Sequence, residues 1–226
     1  QALLKWISDI QTNGLPTINM LGCHDGIPVM DLKGKTIDGT YYPGLLSDDE
    51  IDSTVDLIIE RGGRTKNLYD ANGKKIDYYQ VNATFFSALG EDEKKLVLAR
   101  AIQMFMPGIP QVWYLDLFAG TNDYAAADKG RTAGHKEINR TTLELINIED
   151  GLKRPVVLNQ LKLIKLRNTS PVFKGKMTVI KSAPDEIYVK WKHKKEELSL
   201  KADLKNHNFK IMQKSASDKE ALVFSQ

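Results

Sequence analysis

Apolar positions recur along this chain with two different periods, and the change from one to the other divides it. Over residues 2–12, Leu3, Leu4, Ile7 and Ile10 are spaced for one face of a helix. Asn13-Gly14 ends it, because glycine most readily takes the left-handed backbone of a helix stop. Leu15-Pro16 leads into a continuous apolar run over 17–22, the pattern of a strand buried on both faces. Ser47-Asp48-Asp49-Glu50 forms a capping box and predicts a helix through Ile51, Val55, Ile58 and Ile59 to Gly62-Gly63. Asn72-Gly73, between Tyr69 and Ile76, predicts a small hairpin. Asn82 is expected to cap a short helix reaching Leu89. Glu91, Asp92 and Glu93 suit the positive end of the next helix, whose apolar face is Leu96, Leu98, Ala99, Ile102, Phe105 and Met106. Pro107-Gly108 breaks it, and 109–115 reads as a second buried strand. Pro155 starts a last helix carrying Val156, Val157, Leu161, Ile164 and Leu166.

From Val172 the period becomes two. Ile187, Val189 and Trp191 alternate with Tyr188, Lys190 and Lys192, and Leu198, Leu200, Ala202 and Leu204 alternate with Ser199, Lys201 and Asp203. This predicts an antiparallel sheet with one solvated, lysine-rich face. Asn168-Thr169-Ser170-Pro171 marks the junction. Two stretches are too long for plain connections: residues 27–80, with a helix of their own, and a polar loop over 116–149.

Composition narrows the function classes. A hydrophobic fraction of 42% over 226 residues suits one or two soluble domains with a real core. The net charge of +3, from 32 basic and 29 acidic residues, is too balanced to suggest nucleic acid or a membrane surface as partner. No apolar run approaches the roughly 18 residues of a membrane helix. The single cysteine, Cys23, excludes an intrachain disulfide framework and fits a reducing, cytoplasmic setting. His135, His193 and His207 lack metal-ligand spacing. The chain opens on Gln-Ala-Leu-Leu-Lys-Trp-Ile, as if inside a helix, and is expected to be a piece of something longer.

The chemistry concentrates at the end of the first apolar run. The strand stops at Gly22 and delivers His24 and Asp25 side by side. Neighbours on a regular strand point to opposite faces, so both reach one ligand only if the strand has ended. In a barrel of parallel strands, functional side chains sit just past the C-terminal strand ends. On residues alone the pair is either a sugar-holding site or a satisfied structural pair. Cys23 reads as a small buried apolar residue rather than a nucleophile.

Four segments in order carry a resemblance: Cys23-His24-Asp25-Gly26-Ile27, Tyr79-Gln80-Val81-Asn82-Ala83-Thr84, residues 107–114 (Pro-Gly-Ile-Pro-Gln-Val-Trp-Tyr), and Glu137-Ile138-Asn139-Arg140. Together they resemble the sucrose phosphorylases of glycoside hydrolase family 13, the α-amylase family. The resemblance implies an α/β chain: the C-terminal part of a (β/α)8 TIM barrel, strands seven and eight, with an inserted subdomain and a closing antiparallel β-domain. Residues 1–26 would hold helix six and strand seven, 27–80 the inserted subdomain, 81–170 helix seven, strand eight and helix eight, and 171–226 the β-domain. Strands one to six, with the nucleophile and the general acid on strands four and five, would be missing.

By the same resemblance Asp25 is the family's third carboxylate, which stabilises the transition state through the 2- and 3-hydroxyls of the glucosyl unit. His24 would donate to a ring hydroxyl in that subsite. Asp77, Tyr79 and Gln80 match a mobile loop that handles the leaving group and, in some members, phosphate. Lys136 stands where the family usually has an arginine on the glucosyl hydroxyls. A point charge does not bind like a planar fork, so sucrose 6′-phosphate, glucosylglycerol and glucosylglycerate stand beside sucrose as donors.

The implied activity is that of a retaining phosphorylase giving α-glucose 1-phosphate, with inorganic phosphate as co-substrate and neither metal nor organic cofactor. The alternatives are an α-glucoside hydrolase or transglucosidase and a non-catalytic carbohydrate-binding fragment. Expected partners are the sugar, phosphate and the missing N-terminal half of the barrel, with a homodimer as a further option. The fragment alone is expected to be inactive and aggregation-prone.

Overall fold

The computed structural model describes the backbone of residues 2–28, 32, 34–69, 71–72, 75–215 and 219–226, without the side chains of 2, 66–69, 75–79 and 131–134. Helix α1 (Ala2–Asn13) is followed by Gly14 at φ +61°. The chain then enters β1 (Ile18–Asn19), which pairs in parallel with β6 (Ile109–Pro110), Ile18 opposite Ile109 and Asn19 opposite Pro110. The long buried strands expected at 17–22 and 109–115 are therefore cut to 2 residues each. Each has one neighbour among the described residues, so the ladder has nothing to extend against on its outer side. Nor are the strands covered on both faces: Ile18 is 62% and Ile109 69% exposed. Past Trp113 the expected strand turns into a short helix, α5 (Tyr114–Leu117).

Between these strands lies the excursion. A fully exposed hairpin, β2 (Lys35–Ile37) and β3 (Thr40–Tyr42), precedes α2 (Asp48–Glu60). The capping box forms: Glu50 N–H donates to Ser47 Oγ at 3.3 Å and Ser47 N–H to Glu50 Oε2 at 2.8 Å. Ile51, Val55 and Ile58 of this helix pack on Val81, Ala83 and Ala88 as a small core of their own. The hairpin expected around residues 72–73 is β4 (Arg64–Tyr69) with β5 (Lys75–Asn82).

Asn82 ends β5 and does not cap α3 (Phe85–Ala88); Thr84 does, accepting from Ser87 N–H at 3.1 Å. Asn82 is turned instead toward the 22–26 turn. Helix α4 (Glu93–Phe105) is capped by Asp92, whose carboxylate accepts from Lys94 and Lys95 N–H. The polar stretch 116–149 is not plain loop: it holds α6 (Tyr124–Lys129), a 3-10 helix (Arg131–Asn139) and most of α7 (Leu145–Gly151). Its apolar positions are too few for the periodicity to show. Pro155 is the first-turn residue of α8 (Pro155–Thr169), where its missing N–H costs nothing.

A 3-10 turn (Pro171–Lys174) leads into a five-stranded antiparallel meander: β7 (Lys176–Ile180), β8 (Glu186–His193), β9 (Glu196–Asp203), β10 (Asn208–Lys214) and β11 (Glu220–Ser225). The period-two pattern is realised with Ile187, Val189 and Trp191 inward. Val189, Leu200 and Phe209 of the sheet share one apolar core with Leu96, Phe105, Val157 and Leu163 of α4 and α8. Each such side chain contributes about 1.5–3 kcal/mol when fully buried. Trp191 donates its indole N–H to the Phe105 carbonyl at 2.8 Å. Arg167 donates to the carbonyls of Met104 and Gly108 and lies over the rings of Phe173 and Trp191. The sheet is thereby locked to the end of α4 and the turn that opens β6. Among the described residues no helix is long and apolar enough to cross a membrane.

Candidate functional site

The strand β1 gives way to a tight turn at Cys23–Gly26. Cys23 and Gly26 exchange backbone hydrogen bonds at 3.3 and 3.0 Å. Gly26 takes φ +100°, and a Cβ there would run into the Val81 carbonyl oxygen. The next residue is tied to the end of β5, Ile27 N–H donating to the Val81 carbonyl at 2.8 Å. Because the chain turns here, His24 and Asp25 do not alternate. His24 Nε2 lies 3.4 Å from Asp25 Oδ2, with the His24 side chain 58% and the Asp25 side chain 33% exposed.

The turn's carbonyls are each held from outside. Asn139 Nδ2 donates to the Cys23 carbonyl, Arg140 Nε to the His24 carbonyl at 3.0 Å, and Asn82 Nδ2 to the Asp25 carbonyl at 2.8 Å. Two cations reach the carboxylate itself: Lys136 Nζ at 2.7 Å and Arg140 Nη2 at 3.2 Å, both on Asp25 Oδ1. Arg140 Nη1 also meets Glu137 Oε1 at 3.1 Å. The Lys136 hydrogen bond, helped by the charges of His24, Lys136 and Arg140, holds the Asp25 carboxyl below its ordinary range against a smaller opposing effect of burial. Trp113 forms a wall, its ring 6.0 Å from that of His24. Tyr114 packs behind it at 4.4 Å and donates its hydroxyl to the Thr141 carbonyl at 2.7 Å.

Beneath the turn lies a second carboxylate of opposite character. Asp116 is fully buried and accepts from Gly22 N–H at 3.0 Å and Phe85 N–H at 3.2 Å. A side chain at position 22 would crowd Asp116 Oδ2, so Gly22 is what lets the carboxylate come this close. Burial pushes the Asp116 carboxyl up to about 6, against the pull of Arg100 and the two N–H donors. Arg100, also fully buried, is lowered to about 10 by the same loss of solvent. Its guanidinium donates to Gln160 and Gln103. Gln103 in turn donates to the carbonyls of Asn19 at 2.9 Å and Gln111 at 2.8 Å, pinning the ends of both parallel strands.

Of the residues singled out from sequence, the structure brings His24, Asp25 and Lys136 together. Gln80 lies in β5, two positions before the Asn82 that touches the turn, and is half-buried. Its Oε1 is buried without a hydrogen-bond partner among the described residues. Asp77 and Tyr79 sit on the same strand, but their side chains lie outside the described residues. Sequence reasoning did not single out Asn82, Trp113, Asn139 or Arg140 as site residues. All four stand inside the quoted motifs, which was the available signal. Among the described residues no three His, Cys, Asp or Glu side chains converge as a metal site requires. The arrangement offers a charged hydrogen-bond acceptor and an imidazole on one open face, with an aromatic wall beside them: the donor–acceptor set that suits a polyhydroxylated ring.

No protein-family model matches the chain. It is 52% identical over 222 residues to the sucrose 6(F)-phosphate phosphorylase of Ilumatobacter coccineus, covering 98% of this chain and 42% of that protein. It is 39% identical over 196 residues to the enzyme of the same name from Thermoanaerobacterium thermosaccharolyticum, covering 85% and 38%. The crystal structure of a sucrose 6F-phosphate phosphorylase from Thermoanaerobacter thermosaccharolyticum superposes with a TM-score of 0.78 at 35% identity, over 92% of this chain and 40% of that one. The chain thus spans about two fifths of the length of the relatives it matches, their C-terminal part. Its fold class is the expected one, the closing part of a (β/α)8 barrel followed by an antiparallel sheet.

Proposed function

Because this chain belongs to the sucrose phosphorylase group of the α-amylase family, we propose that it forms the C-terminal part of a retaining phosphorylase. The reaction is transfer of a glucosyl unit from an α-glucoside to inorganic phosphate, giving α-glucose 1-phosphate. The observation that carries this reading is the His24–Asp25 pair, emerging together at the C-terminal end of a parallel strand with Lys136 on the carboxylate.

In such a reaction positive charge builds on the sugar ring in an oxocarbenium-like transition state. Asp25 stays ionised at neutral pH, its carboxyl held low by Lys136. It accepts from ring hydroxyls, and those bonds tighten as the ring becomes cationic, which raises the rate rather than merely the affinity. His24 orients the same ring. Gln80, with Asp77 and Tyr79 on the same strand, serves the leaving group and phosphate by closing over the site and excluding water. The nucleophile and the general acid belong to the part of the relatives that this chain does not match. The bare edges of β1 and β6, and the apolar trough lined by Leu3, Trp6, Ile18, Met20, Leu32 and Leu46, receive that part. The chain alone does not turn over. No organic cofactor or metal takes part, and the setting is cytoplasmic.

Among donors, the reading favours sucrose 6′-phosphate, after the name of the relative that is 52% identical. The test assays the protein that carries this chain with sucrose 6′-phosphate and phosphate, measuring glucose 1-phosphate and free glucose separately. Glucose 1-phosphate as the main product is the expected result. Free glucose alone indicates a hydrolase, and sugar binding with neither product a carbohydrate-binding fragment; either outcome overturns the proposal.

A further inference from the structure

The turn that presents His24 and Asp25 has no regular ladder of its own beyond the Cys23–Gly26 pair, yet its geometry is fully specified from outside. The carbonyls of Cys23, His24 and Asp25 are consecutive, and each is capped by a different side chain: Asn139, Arg140 and Asn82. These come from two separate places, the end of the 3-10 segment (Asn139 and the Arg140 that caps it) and the last residue of β5. Arg140 does more than cap. One guanidinium nitrogen holds the His24 carbonyl, a second holds Asp25 Oδ1, and the third meets Glu137. The backbone of one site residue and the carboxylate of the next are thus set by a single planar group. A flexible ammonium does not reproduce such a fork.

The consequence falls on the two oxygens of Asp25. Oδ1 is taken by Lys136 and Arg140, whereas Oδ2 faces His24 and has no hydrogen bond among the described residues. We propose that Arg140, with Asn82 and Asn139 in support, is a positioning residue of this site. It fixes the turn so that His24 and Asp25 face the same way, and so that Oδ2 is the oxygen offered to the ligand. The proposal rests on the reading of Asp25 as a sugar-facing carboxylate.

The experiment compares Arg140→Ala, Arg140→Lys and Asn82→Ala with wild type in the protein that carries this chain. Three quantities are read: glucose 1-phosphate kinetics, the thermal midpoint, and the Asp25 carboxyl titration by 13C NMR. Arg140→Ala lowers kcat roughly 100-fold, the scale of a small misplacement of a reacting group, with KM for phosphate and the thermal midpoint unchanged. Arg140→Lys, which keeps the charge but not the fork, does not restore the rate. Asn82→Ala, which removes no charge and one hydrogen bond, lowers kcat roughly tenfold. It also keeps the proposal open to refutation should Arg140→Ala fail to fold. A wild-type rate in Arg140→Lys, or unchanged kcat in a folded Arg140→Ala or Asn82→Ala, overturns the proposal. If wild type itself makes no glucose 1-phosphate, the phosphorylase reading has failed. The Asp25 titration then decides the positioning alone, read in Asn82→Ala, which removes no charge: a moved Asp25 midpoint supports it, and an unmoved midpoint overturns it.

Discussion

Two carboxylates a few residues from the ends of the same strand pair have been put to opposite uses. Asp25 is a third exposed, held below its ordinary range by cations, and aimed outward. Asp116 is fully buried, pushed up to about 6, and spends its oxygens on the N–H groups of Gly22 and Phe85. The contrast teaches how a site is built on a strand end. The buried carboxylate anchors the chain at Gly22, past the end of β1, and the exposed one stands on the turn that follows. Burial, not residue type, sorts the two roles.

Four changes test that division. The largest effect is expected for Asp116→Ala, which removes the acceptor of two backbone donors and leaves the buried Arg100 charge without Asp116 to oppose it. A loss of about 3–5 kcal/mol is expected, read from the denaturant midpoint. Asp25→Asn shows the reverse profile. Its thermal midpoint stays close to wild type, while the proposed glucosyl transfer to phosphate, assayed in the protein that carries this chain, falls by roughly 100- to 1,000-fold, the scale of one lost electrostatic stabiliser. Equal damage to folding by both substitutions would erase the distinction.

The pH dependence sharpens it further. Asp116 binds its proton more tightly folded than unfolded, so its contribution is full below about pH 4 and is lost as pH rises through about 6. The span from 3.8 to about 6 corresponds to about 3 kcal/mol, visible as a fall in stability between those pH values that Asp116→Asn lacks. Asp25 has the opposite sign: its contribution is present above the ordinary carboxylate pKa and is lost as pH falls through the lowered folded value. The smallest effect is that of Lys136→Ala. With Asp25 a third exposed, the ion pair stabilises the fold by less than about 1 kcal/mol. The Asp25 carboxyl titration nevertheless moves upward, measurable by 13C NMR in protein of unaltered melting temperature.

What could be read from sequence was whatever local chemistry decides. The Ser47–Glu50 box, Asp92 as a helix start, Pro155 in a first turn and the alternation through Ile187, Val189 and Trp191 all depend on neighbours within a few positions. So does the juxtaposition of His24 and Asp25 on the turn that follows Gly22. Strand length was not legible, because it is set by what lies alongside. The pairing of β1 and β6 stops after 2 residues, although the apolar runs continue. Asn82 and Thr84 are both competent caps. The choice between them was made by a carbonyl 57 residues away, that of Asp25. Arg140 escaped for the same reason, its partners being 115 and 116 positions distant.

The clasp between the terminal sheet and the end of α4 carries a mechanical consequence. Trp191 grips the Phe105 carbonyl, Arg167 grips Met104 and Gly108, and Gln226 reaches the Lys94 carbonyl at the start of the same helix. A load applied to β11 is delivered at both ends of that rod rather than absorbed by a slack joint. Cargo fused beyond β11 therefore inherits a fixed bearing relative to the strand that leads to Trp113, and this edge of the molecule is a place to attach a spectroscopic ruler rather than a soft tether.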